Sequence, residues 1–159
     1  MIIIGIDPGT ATTGYGVIKK TKSQLMCLAY GSITTPAKQA NNLRLQKIYK
    51  ETLGLIKKHK PDIIAIEKLF FFKNLKTVMP VAESRGVILL ACCESKAQIK
   101  ELTPLQIKMG ICGYGRAEKK QIQKMVKEIL KLKEIPKPDD ASDALAAAIC
   151  CSFNLSKAK

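Results

Sequence analysis

The sequence predicts an α/β protein built on a mixed five-stranded sheet, three antiparallel strands followed by parallel ones, with helices on both faces. Two short β-branched runs, Ile2-Ile3-Ile4-Gly5-Ile6 and Ile63-Ile64-Ala65-Ile66, are too brief for helices, and each ends on an acid, Asp7 and Glu67. A stretch of helical periodicity lies between them, which allows the two to pair in parallel. Residues 15–18 and 25–33 read as strands joined by polar turns, so the first run begins an antiparallel meander.

Each element has its own signal. Pro8 and Gly9 supply turn chemistry that closes the first strand. Leu45, Ile48, Tyr49, Thr52 and Ile56 recur at spacings of three and four with charged residues elsewhere, a helix that Pro61 ends. His59, within Lys57-Lys58-His59-Lys60, is expected to be a solvated residue at the negative end of that helix, not a ligand. After the second run comes Phe70-Phe71-Phe72-Lys73-Asn74, then an apolar stretch, 78–93, read as a helix that begins or bends near Pro80. Residues 98–102 suit a last strand, and the glycines at 110, 113 and 115 suggest a loop. Ile122, Met125, Val126, Ile129 and Leu130 share one face of a basic amphipathic helix, and Pro136 and Pro138 break the chain after it. Asp139-Asp140-Ala141-Ser142-Asp143 opens an alanine-rich terminal helix, where acids suit the positive end of the dipole. No repeat or linker divides the 159 residues, so one domain, 1–159, is expected, with a site assembled from distant parts of the chain.

The 27 Lys and Arg outnumber the 13 Asp and Glu to give a net charge of +14, which points to a polyanionic partner, nucleic acid first. Charge alone separates neither RNA from DNA nor binding from simple solubility. No apolar run is long enough for a bilayer and the start lacks the basic region of a signal peptide, so a cytoplasmic protein without a membrane partner is expected. The six cysteines include two adjacent pairs in apolar stretches and no CxxC spacing, which reads as reduced, mostly buried thiols.

Four acids stand apart by position. Asp7 and Glu67 end buried strands; if those strands are parallel neighbours, both carboxylates emerge at the carboxyl edge of the sheet, where open α/β sheets place their sites. Asp140 and Asp143 are three apart at a helix start and project from one face. A gathering of carboxylates raises each member's pKa unless a cation neutralises it. All-oxygen ligation favours Mg²⁺, with Mn²⁺ as a substitute, over zinc. Two such ions roughly 4 Å apart can activate a water and stabilise a leaving 3′ oxygen, so in a basic protein the cluster reads as a phosphodiester hydrolase site. Taken singly, Asp7 could serve only a turn, and Asp139, Asp140 and Asp143 could serve only as helix caps. Glu67, at the end of four apolar residues, needs a partner. The joint occurrence on strand, strand and helix start favours the site.

The blocks Ile4-Gly5-Ile6-Asp7-Pro8-Gly9, Thr13-Gly14-Tyr15-Gly16, Ala65-Ile66-Glu67, Arg85-Gly86, Gly113-Tyr114-Gly115-Arg116-Ala117-Glu118-Lys119 and Asp140-Ala141-Ser142-Asp143-Ala144-Leu145-Ala146 together resemble the bacterial RuvC-type Holliday junction resolvases, over essentially the whole chain. The resemblance implies a ribonuclease-H-like fold and a Mg²⁺-dependent endonuclease that resolves four-way DNA junctions by paired symmetric nicks, as a homodimer, in recombination and repair. It implies that Asp7, Glu67, Asp140 and Asp143 are the metal-binding catalytic carboxylates, two ions per site. Lys108 and Lys119 correspond to basic residues near the scissile phosphate, where they would offset transition-state charge. Phe70 corresponds to an aromatic that stacks on bases at the opened crossover. Lys73, Lys76, Arg116 and Lys120 are expected to join Lys119 in contacting DNA, and the helix after Asn74 to form the dimer interface. The RuvA and RuvB branch-migration proteins are the partners the resemblance implies. Asp139, four residues before Asp143, shares much of its face, but the Asp-x-x-Asp-Ala-Leu-Ala pattern favours Asp140.

Alternatives on the same fold are a YqgF-type nuclease, a ribonuclease H, or a junction-binding protein without catalysis. An actin-like ATPase, suggested by Asp7-x-Gly9 and Gly14, needs a second domain that this length does not provide.

Overall fold

The computed structural model describes residues 1–69 and 75–154, with the side chains of residues 75–77 outside the description. Phe70 and Lys73 therefore lie outside the described residues, as does the side chain of Lys76. Five strands, β1 (Ile2–Asp7), β2 (Thr12–Lys20), β3 (Leu25–Thr34), β4 (Ile63–Glu67) and β5 (Gln98–Leu102), form one sheet of order β3-β2-β1-β4-β5. The meander is antiparallel, while β4 pairs with both β1 and β5 in parallel, as the sequence predicts.

The period-two alternation of the strands divides the core into two layers. Ile4, Ile6, Val17, Ile33, Ile64 and Ile66 pack on Ile48 and Ile56 of α1 (Asn41–His59) and on Ile88 and Cys92 of α2 (Leu75–Cys93). On the other face Ile3, Ile18, Ile63 and Ala65 meet α3 (Pro104–Cys112), α4 (Lys119–Ile129) and α5 (Asp139–Asn154). Central to that face is α5, in which Leu145 and Ile149 have no solvent exposure. Burying each contributes about 1.5–3 kcal/mol.

The seating of α5 on the sheet depends on the absence of side chains beneath it. A Cβ at Gly5 would lie 1.9 Å from the carbonyl oxygen of Ala144, and one at Gly14 would lie 2.0 Å from that of Asp140. Small residues on both surfaces thus let the helix backbone rest against β1 and β2, which fixes where its first turn ends up.

Several expectations need correction. Residues 110–112, expected in a loop, are the end of a helix over 104–112: Thr103 accepts from the Gln106 backbone N–H, Gln106 Oε1 accepts from the Thr103 N–H, and Pro104 occupies the first turn. Gly110 is no breaker there, because a Cβ would lie 2.6 Å from Cys150 Sγ of α5. The helix proper ends at Gly113, whose φ of 79° closes it in the left-handed region. Helix α2 begins at Leu75 and runs through Pro80, since the missing N–H costs one bond near its start while the turns beyond it are anchored by Ile88 and Cys92. Met125 is 38% exposed, off the buried face formed by Ile122 and Val126. His59 is half-buried, and desolvation lowers its pKa, contrary to a solvated position. All six cysteines are free, yet Cys93 is exposed and Cys27 and Cys112 are half-buried.

Candidate active site

Sheet register brings the first two acids together. Ile6 pairs with Ile66 across β1 and β4, so the next residues, Asp7 and Glu67, end adjacent strands side by side. Ile6 and Ile66 face α1 and α2; alternation therefore turns Asp7 and Glu67 to the opposite face, where α5 lies. On the other side of Asp7 its strand partner is Gly14, and the Asp140 backbone sits directly over Gly14. The first turn of α5 is thereby set beside the two strand ends, with Asp143 one turn further along.

The electrostatics record this crowding. Burial pushes the Asp7 carboxyl well above its ordinary pKa, and Glu67, Asp143 and Asp140 push it further, against Lys119. Burial, with Asp143, pushes Glu67 up to about 7, opposed by Lys108 and Lys119. Asp143 is raised as well, by burial first, with Lys119 holding it down and Asp140 and Asp139 adding to the rise. Among the described residues no three such side chains surround one point as ligands of an ion would. The donor set nonetheless suits a hard divalent cation: oxygen only, anionic, and disfavoured as charges without a counter-ion.

Lys119, the first residue of α4, supplies a counter-charge within the protein. Its Nζ lies 3.1 Å from Asp143 Oδ2 and 3.4 Å from Asp139 Oδ2. Desolvation lowers its pKa, but the hydrogen bonds and charges of Asp143 and Asp139 outweigh that and leave it raised. Lys108, on α3, lines the same cavity of about 230 Å³ together with Asp7, Glu67, Lys119 and Asp143. Asp139 accepts a hydrogen bond from Gln123 Nε2 at 3.0 Å and is 63% exposed, whereas Asp140 is the one that adds to the charge on Asp7. Arg116 and Lys120 are exposed at the approach to α4.

The sequence reading missed two arrangements next to these acids. Arg85 of α2 pairs with Glu101 of β5 at 2.9 Å, and Lys68, which directly follows Glu67, reaches the same carboxylate at 4.0 Å. The Arg85-Gly86 block was the available signal, but nothing in it names Glu101. A second cavity is bounded by residues 9–12, Arg44, Pro80 and Val81 of α2, and Asp140.

A five-stranded sheet of this order, with carboxylates at the ends of its two central parallel strands and at the start of the helix across them, defines the class: the ribonuclease-H-like nuclease fold. Residues 3–151 match the family model for "Crossover junction endodeoxyribonuclease RuvC", and the chain belongs to that family. It is 51% identical over 150 residues to the crossover junction endodeoxyribonuclease RuvC of Syntrophomonas wolfei, covering 94% of this chain and 87% of that one. Among solved structures, Thermus thermophilus RuvC superposes with a TM-score of 0.90 at 29% identity, covering 99% of this chain and 96% of the other. T. thermophilus RuvC in complex with Holliday junction substrate also gives 0.90, at 26% identity and with 99% and 97% covered. No helix among the described residues is long and apolar enough to cross a membrane.

Proposed function

We propose that this chain resolves four-way DNA junctions by hydrolysing one phosphodiester in each of two strands, with Asp7, Glu67, Asp140 and Asp143 as the carboxylates that hold Mg²⁺. The observation that carries the reading is the gathering of Asp7, Glu67 and Asp143 on the wall of one cavity, where burial first and neighbouring carboxylates second raise all three. Isolated caps or turn residues would not converge from two strands and a helix on one cavity. A divalent ion held there supplies activation of water and stabilisation of the leaving oxygen.

The chain's own residues do the rest. Lys119 keeps Asp143 oriented and leaves ammonium charge beside the position of the phosphate, and Lys108 adds a second cation across the cavity near Glu67. Arg116 and Lys120 continue the positive surface outward, and Phe70, Lys73 and Lys76 fall in the segment after Glu67 that would meet the junction centre. A homodimer presents two such sites; Met79 at 68% and Leu90 at 58% exposure on α2 give a second copy an apolar surface to cover. RuvA and RuvB remain the proposed partners in branch migration.

A mobile synthetic junction incubated with Mg²⁺ and run on a denaturing gel tests this directly. Paired symmetric nicks, absent in EDTA and absent from the component duplexes, are expected. Cutting of plain duplex or of RNA–DNA hybrid instead would transfer the reading to a ribonuclease-H-type activity.

A further inference from the structure

The loop that follows Asp7 is held by short polar side chains from three parts of the chain outside it. Thr35, just after β3, donates its hydroxyl to the Thr10 carbonyl, and its backbone N–H bonds to the Ala11 carbonyl at 2.9 Å. Ser84 of α2 donates to Thr10 Oγ1 at 2.9 Å, and Thr13 of β2 donates to the Gly9 carbonyl at 2.6 Å. Thr10, Thr13, Thr35 and Ser84 are all buried. Onto this frame Arg44 of α1 docks through one nitrogen, Nε, which donates to Thr35 Oγ1 at 2.8 Å.

Such an anchor fixes the guanidinium plane without using its other donors. Arg44 borders a cavity of about 510 Å³ with Gly9, Thr10, Ala11, Thr12, Pro80, Val81 and Asp140. Among the described residues no carboxylate forms an ion pair with Arg44, and it is the only cation on the cavity wall. Asp140 on that wall and Asp143 on the wall of the first cavity are one helical turn apart, ~5–6 Å between Cβ atoms.

We propose that this second cavity is a backbone-phosphate subsite for the strand being cut, in which Arg44 grips a non-scissile phosphate within a nucleotide or two of the cleaved bond and so fixes the register of the strand over the carboxylates. The proposal rests on the junction-cleaving reading above. Arginine is suited to it, because a guanidinium held through Nε presents its remaining N–H groups as a fork that matches phosphate oxygens. Asp140 on the wall of this cavity repels any anion there, so a cation is needed on it if a strand is to pass through. Arg44 is accordingly a positioning residue that touches DNA without taking part in bond cleavage.

The test is equilibrium binding of a fluorescent four-way junction in EDTA, between 50 and 200 mM salt, for wild type, Arg44→Ala, Arg44→Lys and Thr35→Val. Arg44→Ala is expected to weaken binding about tenfold and to reduce the slope of log K against log salt by about 0.9, one phosphate contact. Arg44→Lys and Thr35→Val, which keep the charge, are expected to retain the wild-type slope. A set of junctions carrying one neutral methylphosphonate each, near the cut, then locates the contact: one linkage weakens the wild type and has no further effect on Arg44→Ala. An unchanged slope and unchanged methylphosphonate profile in Arg44→Ala would overturn the subsite. So would a slope lost in Arg44→Ala with no single methylphosphonate linkage reproducing it in the wild type, since that makes the arginine only a brace for the loop. A wild type that binds no junction removes the functional reading, and the subsite with it.

Discussion

Replacing Glu67 by Gln should stabilise the metal-free protein, and by an amount that depends on pH in a defined way. The Glu67 carboxyl moves from an ordinary 4.5 to about 7 on folding, because burial and Asp143 outweigh Lys108 and Lys119. The folded state therefore holds this proton more tightly than the unfolded chain does. Stability associated with the group is fully present below pH 4.5 and is lost as pH rises through about 7. At ~1.4 kcal/mol per pH unit, the ionised form costs the fold about 3 kcal/mol at pH 8. An amide removes that cost but leaves a polar group poorly matched to its surroundings, at about 1 kcal/mol. The net expectation is a gain of about 2 kcal/mol at pH 8, or ~4–8 °C in melting temperature for a protein of this size. At pH 4 the gain should vanish or reverse slightly. Urea unfolding in EDTA at the two pH values measures both numbers. Adding Mg²⁺ at pH 8 should then raise the wild-type midpoint much more than that of Glu67→Gln. A variant that is destabilised equally at both pH values would refute the reasoning, because it would mean that Glu67 is an ordinary structural carboxylate.

Three further expectations follow from the same geometry. Asp7→Asn should bind a four-way junction within about twofold of wild type while Mg²⁺-dependent cutting falls at least ~100-fold, which paired gel-shift and cleavage assays would separate. Lys119→Ala should lower the cleavage rate by about 100-fold at saturating junction, with Lys119→Arg recovering part of it, since the cation rather than the bulk of the residue faces Asp143 at 3.1 Å. Gly5→Ala places a methyl 1.9 Å from the Ala144 carbonyl oxygen, so a destabilisation of about 3 kcal/mol or more is expected by thermal melting, unless α5 moves and takes Asp143 out of the site.

The antiparallel meander, the parallel pairing of β1 with β4 and the placement of four acids at strand ends and a helix start were legible because each leaves a mark in the chain. β-Branched runs end on Asp7 and Glu67, and an Asp-x-x-Asp step opens an alanine-rich helix. What escaped was structure whose cause lies across space. Gly110 looks like a helix breaker until α5 is seen passing 2.6 Å from where its Cβ would be, although the Thr103-Pro104-x-Gln106 start signal was present in the sequence. Pro80 obscured the true start of α2 for a similar reason, since packing further along the helix overrides one missing bond. His59 lies at a basic helix end yet is half-buried, which no local pattern announces. The Arg44, Thr35, Thr10 and Ser84 network joins four separate elements through common polar residues without any spacing rule. The Asp-x-x-Asp-Ala-Leu-Ala pattern favours Asp140 over Asp139 without a physical reason, which three dimensions supply: Asp139 turns to Gln123 and Lys119, and Asp140 acts on Asp7.

The most direct measurement is anomalous scattering from crystals of the protein soaked in Mn²⁺. Manganese peaks enclosed by the carboxylates of Asp7, Glu67, Asp140 and Asp143, and lost in Asp7→Asn, are the predicted result. Peaks that avoid these four residues, or none at saturating manganese, would contradict the assignment.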